Sequence, residues 1–173
     1  FYFIIIATPP KYHKKYCDMC VEASKDFIVE KPLFIKKKGW QKTILDIKKK
    51  KLVCSVAYPR RESVVHNYIK NIIKKGKIGK LKIIKSNFSQ DFRSLRKDYK
   101  KIYYSNMNES GGIVFDALSH HINLLAYYGG KIKKIIKSEM KLVYTDINVN
   151  DTALILINFK NNILGIIFGN QFQ

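Results

Sequence analysis

An α/β chain is predicted, with a parallel sheet in front and a mainly antiparallel sheet behind. Three observations predict it. Up to Tyr58, short apolar β-branched runs alternate with helix-spaced segments, the pattern of parallel strands joined by helical crossovers. After Pro59 the strands lengthen, and two of them flank Lys160-Asn161-Asn162, a hairpin turn because Asn tolerates positive φ. The rhythm changes at Tyr58–Pro59, so residues 1–58 and 59–173 are expected to form two domains.

The elements follow in order. Phe1 to Ala7 is continuously apolar and reads as a strand buried on both faces, stopped by Thr8-Pro9-Pro10. Lys11 to Ser24 places Tyr12, Tyr16, Met19, Cys20 and Ala23 at helical spacing. Phe27-Ile28-Val29 is a second buried strand, ended by Glu30-Lys31-Pro32. Trp40 to Lys51 is a helix with Trp40, Ile44, Leu45 and Ile47 inward, and Leu52 to Tyr58 is a third strand. This is a doubly wound unit with right-handed crossovers.

Glu62 to Lys75 is a helix with Val65, Tyr68, Ile69, Ile72 and Ile73 apolar, and Gly76 and Gly79 mark its exit. Leu81 to Phe88 reads as a strand. Ser89 to Ser110 is polar and aromatic and reads as a long loop. Ile113 to Tyr128 is a helix between Gly111-Gly112 and Gly129-Gly130. Ile132 to Thr145, Ala153 to Phe159 and Ile163 to Phe168 are strands. The second half is a helix pair over a mainly antiparallel sheet.

Composition excludes several classes. Hydrophobic residues make up 46% of 173, enough for a real core. Three cysteines exclude a disulfide scaffold. The longest apolar runs, Tyr2 to Ala7 and Ile163 to Gly169, are far short of a membrane span. Phe1 to Ala7 has no basic stretch before it and is followed at once by Thr8-Pro9-Pro10, so it does not read as a signal peptide. A cytoplasmic location is expected. The chain begins with Phe rather than Met, and a fragment of a longer protein is expected.

The net charge of +20 invites a nucleic-acid reading. The residue types oppose it. Of 33 basic residues only 4 are Arg, the side chain whose planar fork reads phosphates and guanines. Lys, Ile, Asn, Tyr and Phe all use AT-rich codons, so genomic base composition accounts for the bias. The Lys runs at 36–38 and 48–51 then read as solvated helix ends and faces. No nucleic-acid or membrane partner is expected.

Some residues carry chemistry. Lys31, between Glu30 and Pro32, follows a buried strand, and open α/β sheets bind ligands outside the carboxyl ends of their strands. Its ammonium can hydrogen-bond a ribose or substrate hydroxyl, or it is one surface Lys among many. Asp116 and His120 stand four apart in a helix and share a face. A carboxylate beside an imidazole sets its tautomer and raises its basicity, as proton transfer requires; the alternative is a surface pair or a core histidine. His121 lies about 100° further round and reads as packing or support for His120. Cys17 and Cys20 form a CxxC with His13 four residues earlier. Zinc needs a fuller ligand set, and mid-helix these cysteines read as core. No metal is expected. His66 reads as surface. G-x-S-x-G, G-x-G-x-x-G and the P-loop are absent from this sequence.

Three segments together resemble the Gfo/Idh/MocA family of nicotinamide-dependent oxidoreductases. The first is Ile6-Ala7-Thr8-Pro9-Pro10 with His13, closing through Ile28-Val29-Glu30-Lys31-Pro32-Leu33. The second is Tyr58-Pro59-Arg60-Arg61 and the helix ending Gly76-Lys77-Ile78-Gly79. The third is Gly111-Gly112-Ile113-Val114-Phe115-Asp116-Ala117-Leu118-Ser119-His120. Gln90 to Arg96, Ile102-Tyr103-Tyr104 and Asn170 to Gln173 are similar to one bacterial branch of that family.

The resemblance implies the C-terminal half of a Rossmann-like sheet followed by an α+β domain with a mostly antiparallel open sheet. It implies an NAD or NADP cofactor and a sugar-like or polyol substrate. Lys31 is implied to contact the nicotinamide ribose and the substrate, His120 to give or take the proton, and Asp116 to assist. Thr8, Pro9, His13 and Glu30 are implied to line the cofactor side, with Arg61 near the cleft. A cis Lys31–Pro32 peptide and a homo-oligomer through the open face of the C-terminal sheet are also implied. The family's Gly-rich phosphate loop and its ribose-binding acid have no counterpart in this sequence. The fragment alone is therefore expected to be inactive, and poorly soluble through exposed strand edges.

Two rivals are a catalytically silent family member and a basic interaction domain for a polyanion or protein partner. Fluorescence anisotropy with an unrelated DNA duplex separates the last of these. Only weak binding is expected, abolished between about 50 and 200 mM salt. Tight binding that persists at the higher salt would restore the polyanion reading.

Overall fold

The computed structural model describes residues 3–36, 38–98, 101, 105–106, 111–144 and 147–173. Expectations on Phe1, Tyr2, Lys37, Thr145, Ile102-Tyr103-Tyr104 and part of the 89–110 loop lie outside the described residues. The chain forms two compact units, one reaching Ala57 and one starting at Tyr58.

In the first unit, β1 (Ile4–Ile6), β2 (Phe27–Val29) and β3 (Cys54–Val56) pair in parallel in that order. Helices α1 (Pro10–Glu22) and α2 (Trp40–Lys49) make the two crossovers. Both crossovers step the same way along the sheet, so right-handed connections put both helices on one face. Ile6, Phe27 and Val29 pack there against Cys17, Cys20 and Val21 of α1 and Trp40 of α2. The other face is open: Ile5 and Val53 are each 71% exposed. This corrects the expectation of a first strand buried on both faces. The apolar run is present, but strand order never reverses here, and only reversal places a crossover helix on the second face.

The inward stripe of α1 also differs from expectation. Tyr12 and Met19 are exposed, while His13, Cys17, Cys20 and Val21 are buried. A buried imidazole takes a place where an apolar residue was sought, so the stripe lies one residue round the helix. In α2 the buried residues are Trp40 and Thr43, and Ile44 and Leu45 are exposed. Thr43 Oγ1 donates to Asp18 Oδ1 at 2.6 Å, a hydrogen bond that makes burial of the hydroxyl tolerable.

The second unit is a four-stranded sheet in the order β4–β7–β6–β5, from β4 (Ile83–Ser89), β5 (Ile132–Lys141), β6 (Thr152–Phe159) and β7 (Leu164–Asn170). β4 and β7 are parallel and the other two pairings antiparallel. The β6–β7 turn carries Asn162 at φ +58°, as its sequence predicts. A helical segment entered at Ile113 passes through a π turn, Val114–Leu118, into α5 (Ser119–Gly129). Its Ile113, Leu118 and Leu125 pack on Ile155, Ile157, Phe159 and Ile167.

A 3₁₀ turn, Pro59–Glu62, leads into α3 (Val64–Lys74). α3 is strapped to α5 by polar contacts. Tyr127 Oη donates to Asn67 Oδ1 at 2.7 Å, and Lys70 Nζ donates to the Tyr127 carbonyl. Of the apolar positions of α3, Val65 and Tyr68 are exposed. His66, expected at the surface, is half-buried with Nδ1 2.7 Å from Tyr128 Oη. Within the expected 89–110 loop lies a short helix, α4 (Phe92–Leu95), capped by Asp91, which accepts from the Arg93 and Ser94 amides. Buried Asp151 holds the return from β5 by accepting from the Val143 and Tyr144 amides.

Gly169 lets the π turn approach the sheet. A Cβ there would lie 2.6 Å from Leu118 Cδ2 and 3.2 Å from Ile113 Cδ1, both side chains fully buried. Gly169→Val is therefore expected to destabilise the protein by about 1–3 kcal/mol through overpacking. Urea unfolding checks this, and an unchanged midpoint would contradict it.

Candidate active site

The carboxyl end of the parallel sheet gathers the first group of residues. Ile6 pairs with Val29 in register, so Thr8 and Lys31 each stand two residues beyond paired strand positions. Pro9 begins the turn into α1. The Lys31–Pro32 peptide is cis. Exposed Glu30 accepts the Lys31 amide on Oε2 at 3.2 Å. His13 lies beneath these turns and is fully buried. Its Nε2 is 2.8 Å from the Thr8 carbonyl oxygen and its Nδ1 is 3.0 Å from that of Pro32. Thr8 Oγ1 is buried without a hydrogen-bond partner among the described residues.

The cysteines beside His13 behave as core. Burial pushes the Cys17 thiol up to about 12 and also raises Cys20, so neither is a ready thiolate at neutral pH. Among the described residues, no group of three or more His, Cys, Asp or Glu could hold a metal ion.

The second group sits on the second unit. In a π turn the backbone hydrogen bonds reach one residue further than in an α turn. Asp116 and His120 therefore stand just under one turn apart and keep a common side. π turns in helices occur often at functional sites. Gly112, at φ +91°, lets the Asn150 carbonyl oxygen come within 3.2 Å of where a Cβ would stand, and the Ile113 amide donates to that oxygen at 2.8 Å. Asp116 is buried and His120 half-buried.

Sequence reasoning named Asp116 and His120, took His121 as packing or support and Arg61 as near the cleft, and missed the contacts of Tyr58, Arg60 and Ser86 around them. The Tyr58 ring meets His120 edge-on with centroids 5.7 Å apart. Burial raises the Tyr58 phenol, although its hydrogen bond with Ser119 opposes this. His121 is buried, with Nε2 3.3 Å from Arg60 Nη1 and Nδ1 2.6 Å from Ser86 Oγ. A guanidinium only donates, so His121 Nε2 accepts and Nδ1 carries the proton that it donates to Ser86. Burial first, then the Arg60 charge and His120, push the His121 ring down to about 4. Arg61 donates through Nε to Asn123 Oδ1 at 2.6 Å and covers the Tyr127 ring. The Tyr58-Pro59-Arg60-Arg61 motif was the sequence signal for Tyr58 and Arg60.

Comparison with known proteins decides the family. Residues 2–58 match an oxidoreductase family described as having an NAD-binding Rossmann fold, and residues 66–173 match the GFO/IDH/MocA C-terminal domain. The chain belongs to the GFO/IDH/MocA oxidoreductase family. It is 25% identical over 140 residues to an oxidoreductase of Formosa agariphila, covering 80% of this chain and 44% of that protein. It is 24% identical over 168 residues to a myo-inositol 2-dehydrogenase of Thermotoga maritima, covering 95% and 48%. The chain thus spans about half the length of these relatives. A dehydrogenase of Chromobacterium violaceum crystallised with NADH and UDP-GlcNAcA shares the fold at a TM-score of 0.86 and 18% identity, covering 99% of this chain and 49% of that one. No helix among the described residues is long and apolar enough to cross a membrane.

The residues at the sheet end fit the ribose and nicotinamide side of a family cofactor. The Thr8 hydroxyl is buried there with its hydrogen-bonding capacity unmet, and Glu30 and Lys31 follow the neighbouring strand at the same edge. These groups match ribose hydroxyls in chemistry.

The His121 shift makes a stability prediction. Its folded value lies near 4 against 6.5 for an ordinary ring. Between these values the unfolded chain binds more protons, so stability is present above about pH 6.5 and is lost as pH falls toward 4. The loss is on the order of 3 kcal/mol. Urea unfolding at both ends of this window should show it in the native protein, with a clearly smaller difference in His121→Gln. Equal pH dependence in the two proteins would remove the assignment.

Proposed function

We propose that the protein carrying this chain is an NAD(P)-dependent dehydrogenase of a sugar-like or polyol alcohol. The observation that carries it is that the turns bearing Thr8 and Lys31 both leave the carboxyl end of the parallel sheet and are joined through His13. Its membership of an oxidoreductase family and its likeness to a myo-inositol 2-dehydrogenase support it.

When bound, the nicotinamide supplies the hydride acceptor or donor. Thr8, Pro9 and Glu30 line its ribose side, and His13 acts from beneath them. In the oxidising direction Lys31 hydrogen-bonds the substrate hydroxyl oxygen and stabilises the negative charge that develops on it. His120 accepts the hydroxyl proton as the carbon gives up hydride and the C=O bond forms. Asp116 orients the His120 ring and favours its charged form. Neutral His121, Tyr58 and Ser119 hold the ring's surroundings still. Arg61 fixes α5 through Asn123 and so acts on His120 at one remove.

A second copy of the chain is the proposed oligomeric partner. Leu154 and Phe168 pair across β6 and β7 on the open side of the sheet and remain 40% and 39% exposed, as does Ile83 on β4 at 57%. Apolar side chains clustered on one open face mark an interaction surface.

Kinetics of Lys31→Ala and His120→Ala in the full-length protein, with a polyol panel and NAD or NADP, test the roles. Each substitution is expected to lower kcat/KM at least tenfold, or about 1.4 kcal/mol or more. Unchanged kinetics on a responsive substrate would overturn the roles. NAD(H) binding without turnover of any alcohol would point to the catalytically silent alternative.

A further inference from the structure

His13 carries an inference that goes beyond lining a cofactor. Both hydrogen-bond partners of its ring are backbone carbonyl oxygens, Thr8 O at 2.8 Å and Pro32 O at 3.0 Å. A carbonyl only accepts. The neutral ring has one N–H and one lone pair, so it can serve one of these oxygens and must turn its lone pair on the other. Only the imidazolium, with an N–H on each nitrogen, satisfies both. The ring is fully buried, so water cannot readily substitute for the missing donor.

The two carbonyls belong to the turns that end β1 and β2. One turn carries Thr8 and the other carries Lys31, which precedes the cis peptide to Pro32. We infer that His13 is a positioning residue whose doubly protonated ring clamps the Thr8 turn to the Lys31–Pro32 turn, and that loss of one ring proton releases one of them. The consequence for cofactor binding rests on the dehydrogenase reading; the clamp itself does not.

The charged and titratable groups on the segments meeting the ring are few. On the side of its own helix that carries the ring they are Tyr16 and Cys17, three and four residues on, and next to it in the chain Tyr12 and Lys14, the latter paired with Asp18. The Cys17 thiol, pushed up to about 12, stays neutral as the ring titrates. On the facing turn they are Glu30 and Lys31, and the Thr8 turn has none. Glu30 is the group most apt to imitate the effect, because its carboxylate already accepts the Lys31 amide. Glu30→Gln is therefore the control.

The test is an NMR titration of the full-length protein, labelled with 15N at the histidine rings and 13C at the backbone carbonyls. It runs from about pH 5 to about pH 8.5. The expected result is a His13 ring with two N–H groups at the acid end. As one nitrogen loses its proton, the carbonyl signal of either Thr8 or Pro32 moves along the same curve, and Glu30→Gln keeps that coupling. A ring with one N–H wherever both turns are intact would overturn the clamp. So would carbonyl signals that ignore the ring. NAD(H) affinity, measured by fluorescence across the same range, is expected to weaken at least threefold in step with ring deprotonation and to become pH-independent in His13→Gln. If that variant fails to fold, the titration of the native protein decides alone. Affinity that stays level while the carbonyls move would overturn the link to the cofactor. Absence of NAD(H) binding at every pH would overturn the dehydrogenase reading, and the carbonyl signals would still decide the clamp.

Discussion

The parallel register of β1, β2 and β3 is the constraint on which the first unit depends. Parallel strands cannot be joined by tight turns, so each pairing requires a crossover helix. Both crossovers run the same way, and right-handedness then puts α1 and α2 on one face. All the carboxyl ends fall on one edge. That edge carries the turns of both Thr8 and Lys31, though 23 positions separate them in the chain. His13 follows from the same geometry, because the first turn of α1 passes under both strand ends. A side chain there can reach two carbonyls at once, and histidine is the aromatic residue with two opposed ring nitrogens to do so.

The second unit depends on the close approach of one helical segment to the sheet. Leu118 and Ile113 fill the space that Gly169 leaves on β7. The π turn between them sets how Asp116 and His120 follow one another. Past the turn, consecutive histidines face different surroundings. His121 is buried against Phe88 and held neutral between Arg60 and Ser86. His120 is half-buried with the Tyr58 ring edge-on beside it. Two rings with the same intrinsic chemistry are thus separated by environment.

Much of this was legible in the chain. β-branched runs and Gly and Pro punctuation located every labelled strand and all the helices but α4 and the 3₁₀ turn, because hydrophobic period and turn chemistry are local. The cis Lys31–Pro32 peptide was implied by family resemblance, since a single sequence cannot distinguish the isomers. What failed was the inward side of the helices. Tyr12, Met19, Ile44 and Leu45 have the right period but the wrong phase, and His13 and Thr43 take the buried places. Polarity discounts such residues in a periodicity count, although a hydrogen bond to a carbonyl or carboxylate removes most of the penalty of burying them. The exposed Ile5 and Val53 illustrate the converse: an apolar residue records a preference for cover, and which face receives cover depends on the direction of the crossovers.

The amino-acid sequence by itself determined the order and kind of elements, the change of architecture after Tyr58, and the motifs containing Lys31, Asp116 and His120. Those depend on interactions among near neighbours. Only the tertiary structure decided that His13 joins the Thr8 turn to the Lys31–Pro32 turn, and that Arg60 and Ser86 fix the proton of His121. Each of these joins residues at least five positions apart through the packing of separate elements, and no periodicity in the chain records where a distant carbonyl or guanidinium will come to rest.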